Sequence, residues 1–347
     1  MKPDRGSKGE SNGTVLIGLN AVIVAVTDEE PRLLTVQPSR HLLGHSQHEG
    51  RESGALPFGP LDPEEDRTLE LGLDRWVKEQ TGIELGYVEQ LYTFGDRDRE
   101  PRGRWGGRRV LSVGYVALVR EGQAAGREGT RWRPWYDYFP WEDWRRGRPP
   151  VIEAAIEPAL DRWVEGGADP LQRRAHRERA DITFGLHGAP WDGERVLERY
   201  ELLYEAGLVY EARRDPELAA PGEPPSGTIG RGEPGLVPGR SMVLDHRRIV
   251  ATALGRLRGK IRYRPVVFEL LPSTFTYLQL QRVVEALAGV RLHKQNFRRL
   301  VEKGGLVEGT GRLVDNTGGR PAELFRFRRE VLRERPTPGV GLPGVHS

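Results

Sequence analysis

Residues 75–83 read RWVKEQTGI. Leu69, Leu73, Trp76 and Val77 recur at helical spacing, and Gly82 supplies a C-terminal stop. Upstream, Asp62 suits an N-cap, Pro63 the first helical position, and Glu65 stands where a capping box needs it. The pattern predicts a helix that opens at Asp62 and closes at Gly82. Trp76, Glu79 and Gln80 fall at i, i+3 and i+4 and share one face of it.

Strands are expected on both sides of this helix. TVLIGLNAVIVAVT (14–27) is rich in β-branched residues and reads as a buried strand, with RLLTVQ (32–37) as partner. YVEQLYTFGD (87–96) and RRVLSVGYVALV (108–119) supply two more. The first 120 residues thus read β-β-helix-β-β, a mixed sheet carrying a helix. Residues 141–214 look helical, in IEAAIEPALDRWVEG (152–166) and WDGERVLERYELLYEAGLV (191–209) above all. Eleven of the twenty residues 221–240 are Gly or Pro, which predicts a flexible linker. MVLDHRRIVATALGRLRGKI (242–261) restores helical periodicity, with Asp245-His246 read as its cap.

From residue 265 the pattern is compact. PVVFELLP is a short helix closed by Pro272, and Thr276 can cap a second, TYLQLQRVVEALAG. A third, HKQNFRRLVEKGG, buries Phe297, Leu300 and Val301. Two strands, LVEGTG and AELFRFRR, surround DNTGGR, whose glycines suit a tight turn. Three helices and a ribbon make a winged helix-turn-helix. Its third helix would leave Lys294, Gln295, Asn296, Arg298, Arg299 and Lys303 outward, able to meet base edges and phosphates, with Arg320 at the ribbon tip.

Charge agrees. Residues 246–335 hold 20 Lys+Arg against 8 Asp+Glu, a net of +12, while the remainder holds 33 against 42, a net of −9. A basic unit on an acidic body is a composition expected of a nucleic-acid binder. The chain has no cysteine, so disulfides, thiolate metal sites and cysteine nucleophiles are excluded. The polar start MKPDRGSKGESNG lacks the apolar stretch of a signal peptide, and no apolar run of about 18 residues occurs. A cytoplasmic protein without membrane contact is expected. His41, His45 and His48 lack a fourth ligand of convincing spacing and read as a polar loop rather than a zinc site.

The segment 75–83 resembles the second half of the Nudix hydrolase box, G-x5-E-x7-R-E-U-x-E-E-x-G-U with U aliphatic. Arg75, Val77, Glu79, Gly82 and Ile83 match it, whereas Trp76 and Gln80 stand in place of two of its glutamates. TFGD (93–96) leading into RDREPRG (97–103) is similar to ADP-ribose-type Nudix proteins, with Glu100 where they carry Asp. The strings NFRR (296–299) and GRPA (319–322) resemble the Nudix-related transcription regulators of NAD metabolism, of the alphaproteobacterial type. The likeness covers about 14–120 and 242–333.

That resemblance implies a fold and a function. The fold is an α/β Nudix-like sandwich with a mixed sheet, followed by a C-terminal winged helix; residues 141–240 have no counterpart in the shorter members of that group, and their helical periodicity makes them an expected helical insertion whose role stays open. Its expected parts are a flexible N-terminus (1–13), a sensor core (14–140), the insertion (141–220), the linker (221–241), a closing helix (242–261), the winged helix (262–335) and a tail (336–347). The function is a homodimeric repressor of NAD-biosynthesis genes. It would bind a near-palindromic double-stranded operator and sense NAD, ADP-ribose or another adenine nucleotide, with no required cofactor. Box acids hold divalent cations on the substrate pyrophosphate, and one carboxylate of that trio remains, so metal-dependent catalysis is expected to be lost. Arg40, Arg99, Arg102 and Arg109 could neutralise a pyrophosphate or be surface arginines. Trp76, Tyr92 and Phe94 could stack on adenine or be core. Glu79 could hold a residual cation or pair with an arginine. The alternative is an active pyrophosphatase on ADP-ribose or NADH, with Glu64, Glu65, Glu70 and Glu79 forming a shifted metal site.

Overall fold

The computed structural model of the chain describes residues 15–37, 54–96, 109–120, 129–219, 237–315 and 321–340. Strand β1 (Val15–Thr27) is its spine. Along one edge β1 runs parallel to β5 (Arg109–Leu118), from Val15↔Arg109 to Val24↔Leu118. Its other edge is shared between two antiparallel partners. β2 (Glu30–Val36) pairs with its C-terminal end, and β3 (Phe58–Pro60) with Gly18, Leu19 and Asn20. With β4 (Tyr87–Phe94) and β6 (Thr130–Pro134) the order is β4-β5-β1-β2-β6. β3 and β6 are absent from the outline that periodicity gives, because three and five residues are too few to display an alternation.

The apolar run of β1 has two destinations. Leu19, Ala21, Ile23 and Ala25 face helix α1 (Leu69–Thr81) through Leu73 and Val77. Val22, Val24 and Val26 belong to the opposite face, in a core shared with Ile249, Val250, Ala253 and Leu257 of the closing helix (His246–Ile261). A strand covered on both faces needs an unbroken apolar run, which residues 21–26 show. Each buried Val or Leu contributes roughly 1.5–3 kcal/mol of transfer free energy.

Helix α1 starts later than its sequence predicts. Thr68, not Asp62, is the N-cap, and its hydroxyl accepts from Leu71 N–H. Asp62 caps a separate turn by accepting from the N–H groups of Glu64 and Glu65. The cause is Asp66, whose carboxylate accepts from Asp62 N–H at 2.8 Å and from Arg75 Nε and Nη2 at 3.0 and 2.8 Å. Those bonds turn the chain between the two capped segments.

Beyond β6, two short 3-10 turns bury Trp135, Tyr136 and Trp141. A π turn at Ile152–Ile156 precedes Pro158, which has no N–H to continue an α pattern. Then come α2 (Glu157–Glu165), α3 (Pro170–Phe184), α4 (Val196–Glu205) and α5 (Tyr210–Ala219). The closing helix becomes α6. Its expected cap is corrected: Asp245 pairs with Arg248 at 3.1 Å, and His246 Nδ1 accepts from Leu56 N–H at 2.9 Å. The expected linker is corrected at its end. Val237 is buried and bonded to Leu208, and Arg240 N–H reaches Asp137 O. Residues 220–236 lie outside the described residues.

The C-terminal unit has a 3-10 turn at Val266–Leu270, α7 (Tyr277–Ala288), α8 (Lys294–Gly304), β7 (Val307–Val314), β8 (Ala322–Phe327) and a last turn α9 (Val331–Glu334). Thr276 and Gln279 form a capping box at the head of α7. Leu280, Val284, Phe297 and Val301 join the same core as Val24, Tyr200 and Leu257, so body, insertion and winged helix share one interior. Among the described residues, no helix is long and apolar enough to cross a membrane.

Candidate functional site

Two surfaces could meet a partner. The first is a small cleft floored by Gly18, Asn20, Val110 and Ser112 and bordered by Phe58, Gly59, Pro60 and Leu244. Helix α1 packs beside β3, which borders this cleft, and holds that strand through Trp76 and Gln80. Trp76 lies against Gly59 so closely that a Cβ there would come within 2.1 Å of the indole. Its Nε1–H donates to Pro60 O at 2.8 Å, and the Arg75 guanidinium stands 4.7 Å from the ring centroid. Gln80 clips β3 from both sides: its Nε2 donates to Phe58 O at 2.6 Å, and its Oε1 accepts from Phe58 N–H at 3.2 Å. A carboxylate at position 80 could accept but could not donate, so the amide is chemically required for this pair.

Glu79 is exposed, and its charge acts on Arg75. Arg75 in turn holds the Asp66 carboxyl below its ordinary pKa, chiefly through their hydrogen bonds. These residues do not fit a divalent cation. One carboxylate, an indole and an amide already bonded to backbone cannot supply the several oxygen ligands a hard cation needs. Among the described residues, no group of three or more acidic or histidine side chains is placed to hold a metal, and Glu64, Glu65, Glu70 and Glu79 are not brought together as one.

The other cleft candidates separate. Phe94 is 3% exposed and touches the space above Gly114, so it is core. Tyr92 is 60% exposed and meets Phe94 edge-on at 5.4 Å, leaving its ring open to a planar ligand. Arg109 is exposed and donates to Gly95 O at 3.0 Å, fastening the start of β5 to the end of β4. Arg40, Arg99 and Arg102 lie outside the described residues, as do the three histidines at 41, 45 and 48. Sequence reasoning missed Asn20 and Ser112, polar residues buried at the cleft floor. Their only signal was polarity inside runs that are otherwise apolar. It also missed Arg248, whose guanidinium lies 5.1 Å from the Phe94 ring and pairs with Asp96, Glu201 and Asp245.

The second surface is α8. Phe297 and Val301 anchor it, and Lys294, Gln295, Asn296, Arg298, Arg299 and Lys303 are all exposed. Arg298 is engaged locally: Nε donates to Glu302 at 2.8 Å, and the guanidinium stands 5.2 Å from the Tyr277 ring. The turn before α8 is held by buried Glu285, which accepts from Leu292 N–H at 2.9 Å and from Arg291 at 2.7 Å. The β7–β8 ribbon has a register shift near Gly311, whose φ is +70°. Arg320 lies outside the described residues. The winged helix also grips the tip of the β1–β2 hairpin, where Arg282 pairs with Glu29 at 2.8 Å.

Comparison with known proteins agrees with this geometry. Residues 267–327 match the NrtR DNA-binding winged helix domain. The chain is 37% identical over 316 residues to the ADPR responsive transcriptional repressor NtrR of Acinetobacter baylyi, covering 90% of this chain and 82% of that protein. Crystal structures of Shewanella oneidensis NrtR, free and complexed with a 27mer DNA, share the fold. Each is 21% identical at a TM-score of 0.53, covering 91% of this chain and 95% of that chain. A Nudix-like body joined to a winged helix, with a relative this similar along nearly its whole length, places the chain in the NrtR family of Nudix-related transcriptional repressors.

Proposed function

We propose that this protein is a repressor of NAD-biosynthesis genes whose hold on its operator responds to ADP-ribose bound in the Nudix-like cleft. The relative's response to ADP-ribose supports the choice of effector over NAD or ATP. The observation that carries the reading is the use of Trp76 and Gln80. Both are bonded to the backbone of β3 at the edge of the cleft, where the Nudix box places metal-binding acids. The cleft is therefore a binding site without a metal centre, and the chain does not hydrolyse what it binds. A sensor that destroyed its signal would report flux rather than level.

Tyr92 supplies a face for the adenine, and Arg109 with Arg40, Arg99 and Arg102 meets the pyrophosphate. Lys294, Gln295, Asn296, Arg299 and Lys303 enter the major groove, with Arg320 reaching the backbone beside it. Two copies related by a two-fold axis would read a near-palindromic site. The test is fluorescence anisotropy on DNA from upstream of the NAD-synthesis genes, with and without ADP-ribose, NAD and ATP. Operator affinity should change with ADP-ribose more than with the other two. In parallel, purified protein with magnesium or manganese should leave ADP-ribose and NADH intact. Robust turnover would instead establish the pyrophosphatase alternative.

A further inference from the structure

Helix α6 borders the cleft at one end and packs at the other on α7, the helix that leads into α8. At its N-terminal end Leu244 borders the cleft, His246 meets the Phe58 ring at a centroid distance of 4.8 Å, Arg248 covers Phe94, and Ile249 packs on Gly114. Ten residues on, about 15 Å along the axis, stands Arg258, 4% exposed. Its guanidinium donates to three separate segments. Nη1 reaches the Glu142 carboxylate at 2.5 Å and Gly193 O at 3.0 Å, Nη2 reaches Glu142 O at 2.9 Å, and Nε reaches Leu287 O at 3.2 Å. Glu142 is shared with Arg199, itself fully buried. Burial opposes the charge on Arg258, but Glu142 and Tyr136 together outweigh it and hold the pKa above the ordinary arginine value.

The carbonyls at the end of a helix lack intrahelical donors and are usually met by water or a capping loop. At the end of α7 the body meets them. Tyr136 Oη donates to Ala286 O at 2.8 Å, Arg258 to Leu287 O, and Trp144 N–H to Gly289 O at 2.7 Å. A cation there also sits at the negative end of the helix dipole. Gly289 has φ +72°, and a Cβ on it would lie 2.6 Å from Arg258 Nη2 and from Glu142 O. One turn earlier on α7, Glu285 holds the loop that leads into α8. Thus α6 runs from the cleft wall to the C-terminal end of α7, where Arg258 is bonded, and α7 in turn holds through Glu285 the loop that leads into α8.

We propose that Arg258 is the positioning residue that couples occupancy of the cleft to the placement of α8, although it touches neither effector nor DNA. The proposal rests on the effector reading above. Allosteric coupling between two sites commonly changes affinity by about 5–150-fold. The measurement is the ratio of operator Kd with and without saturating ADP-ribose, in the natural chain, Arg258→Lys and Arg258→Met. Calorimetry reports the ADP-ribose Kd of each separately. Lysine keeps the charge but cannot reach three acceptors at fixed angles.

A ratio of about tenfold or more in the natural chain, falling below about threefold in Arg258→Lys with the ADP-ribose Kd unchanged, is the expected result. A ratio preserved in Arg258→Lys overturns the proposal, and Arg258→Lys carries the test if the methionine variant does not fold. Were the natural chain indifferent to ADP-ribose, the effector reading would fall instead. Hydrogen exchange on ligand-free protein would then judge Arg258. Faster exchange at residues 290–293 in Arg258→Lys, with β1 and β5 unchanged, upholds the coupling contact, and no change at 290–293 overturns it.

Discussion

Helices α1 and α8 have the same design and opposite fates. Both bury a short apolar stripe, and both end on a left-handed glycine, Gly82 and Gly305. Both carry polar or amphipathic side chains on the other stripe. In α1 the protein itself answers them: Trp76 is bonded to Pro60, Gln80 to both polar groups of Phe58, and Arg75 to Asp66. In α8 the stripe faces solvent, with Arg298 and Glu302 paired to each other. A polar side chain already answered inside the fold fixes structure. One presented to solvent at regular helical spacing, with cations in the majority, is available to a partner. The contrast separates side chains spent on holding β3 from side chains presented to a partner.

The strongest way to break the contrast is to restore the acids. Trp76→Glu combined with Gln80→Glu should remove the indole packing and both β3 clips and set two carboxylates beside backbone carbonyls. The loss in stability is expected at about 3–5 kcal/mol, the range for removing a large packed side chain together with buried hydrogen bonds. Urea unfolding monitored by circular dichroism would measure it. No magnesium-dependent hydrolysis of ADP-ribose should appear, because the strand beside those positions would have lost its anchors. Gly59→Ala sharpens the same point from the other side. Its Cβ would meet the Trp76 ring at 2.1 Å, and overpacking of this kind costs about 1–3 kcal/mol. A variant as stable as the natural chain would show that Trp76 swings freely and does not hold β3.

How much of this could be read from the chain depends on the range of the interactions. The two-sided burial of β1, the three helices with a ribbon and the exposed stripe of α8 all follow from spacing within one element, and spacing is visible in sequence. The head of α1 is not, because Asp66 is drawn to Arg75 nine positions on. The roles of Trp76 and Gln80 are not either. Their partners are backbone atoms 16 and 22 positions away, in a strand too short to show a pattern. Nothing in the spacing of Glu142, Arg199 and Arg258 links them in sequence, yet they meet in the interior from positions 57 and 116 residues apart. Resemblance identified which residues had changed in the Nudix box. Only the three-dimensional arrangement says what the replacements do.

The finest test lies within α8, between two adjacent arginines that sequence alone treats as equals. Among the described residues Arg299 meets no hydrogen-bond or ion-pair partner, whereas Arg298 is tied to Glu302 and stands over Tyr277. A guanidinium must leave such partners before it can contact a base, and its paired carboxylate is carried toward the phosphates with it. Arg299→Ala should therefore weaken operator binding by about 1–3 kcal/mol, the range for a base-contacting arginine. Arg298→Ala should cost less than about 1 kcal/mol, since the loss of one cation is partly offset by releasing Glu302 from the interface. Glu302→Ala should raise affinity, because it removes a like charge and frees Arg298. Anisotropy titrations of the three variants at one salt concentration would settle the order. Equal losses for the two arginines would mean that the Arg298–Glu302 pair opens on DNA, so that α8 meets its partner in a side-chain arrangement different from the one it holds alone.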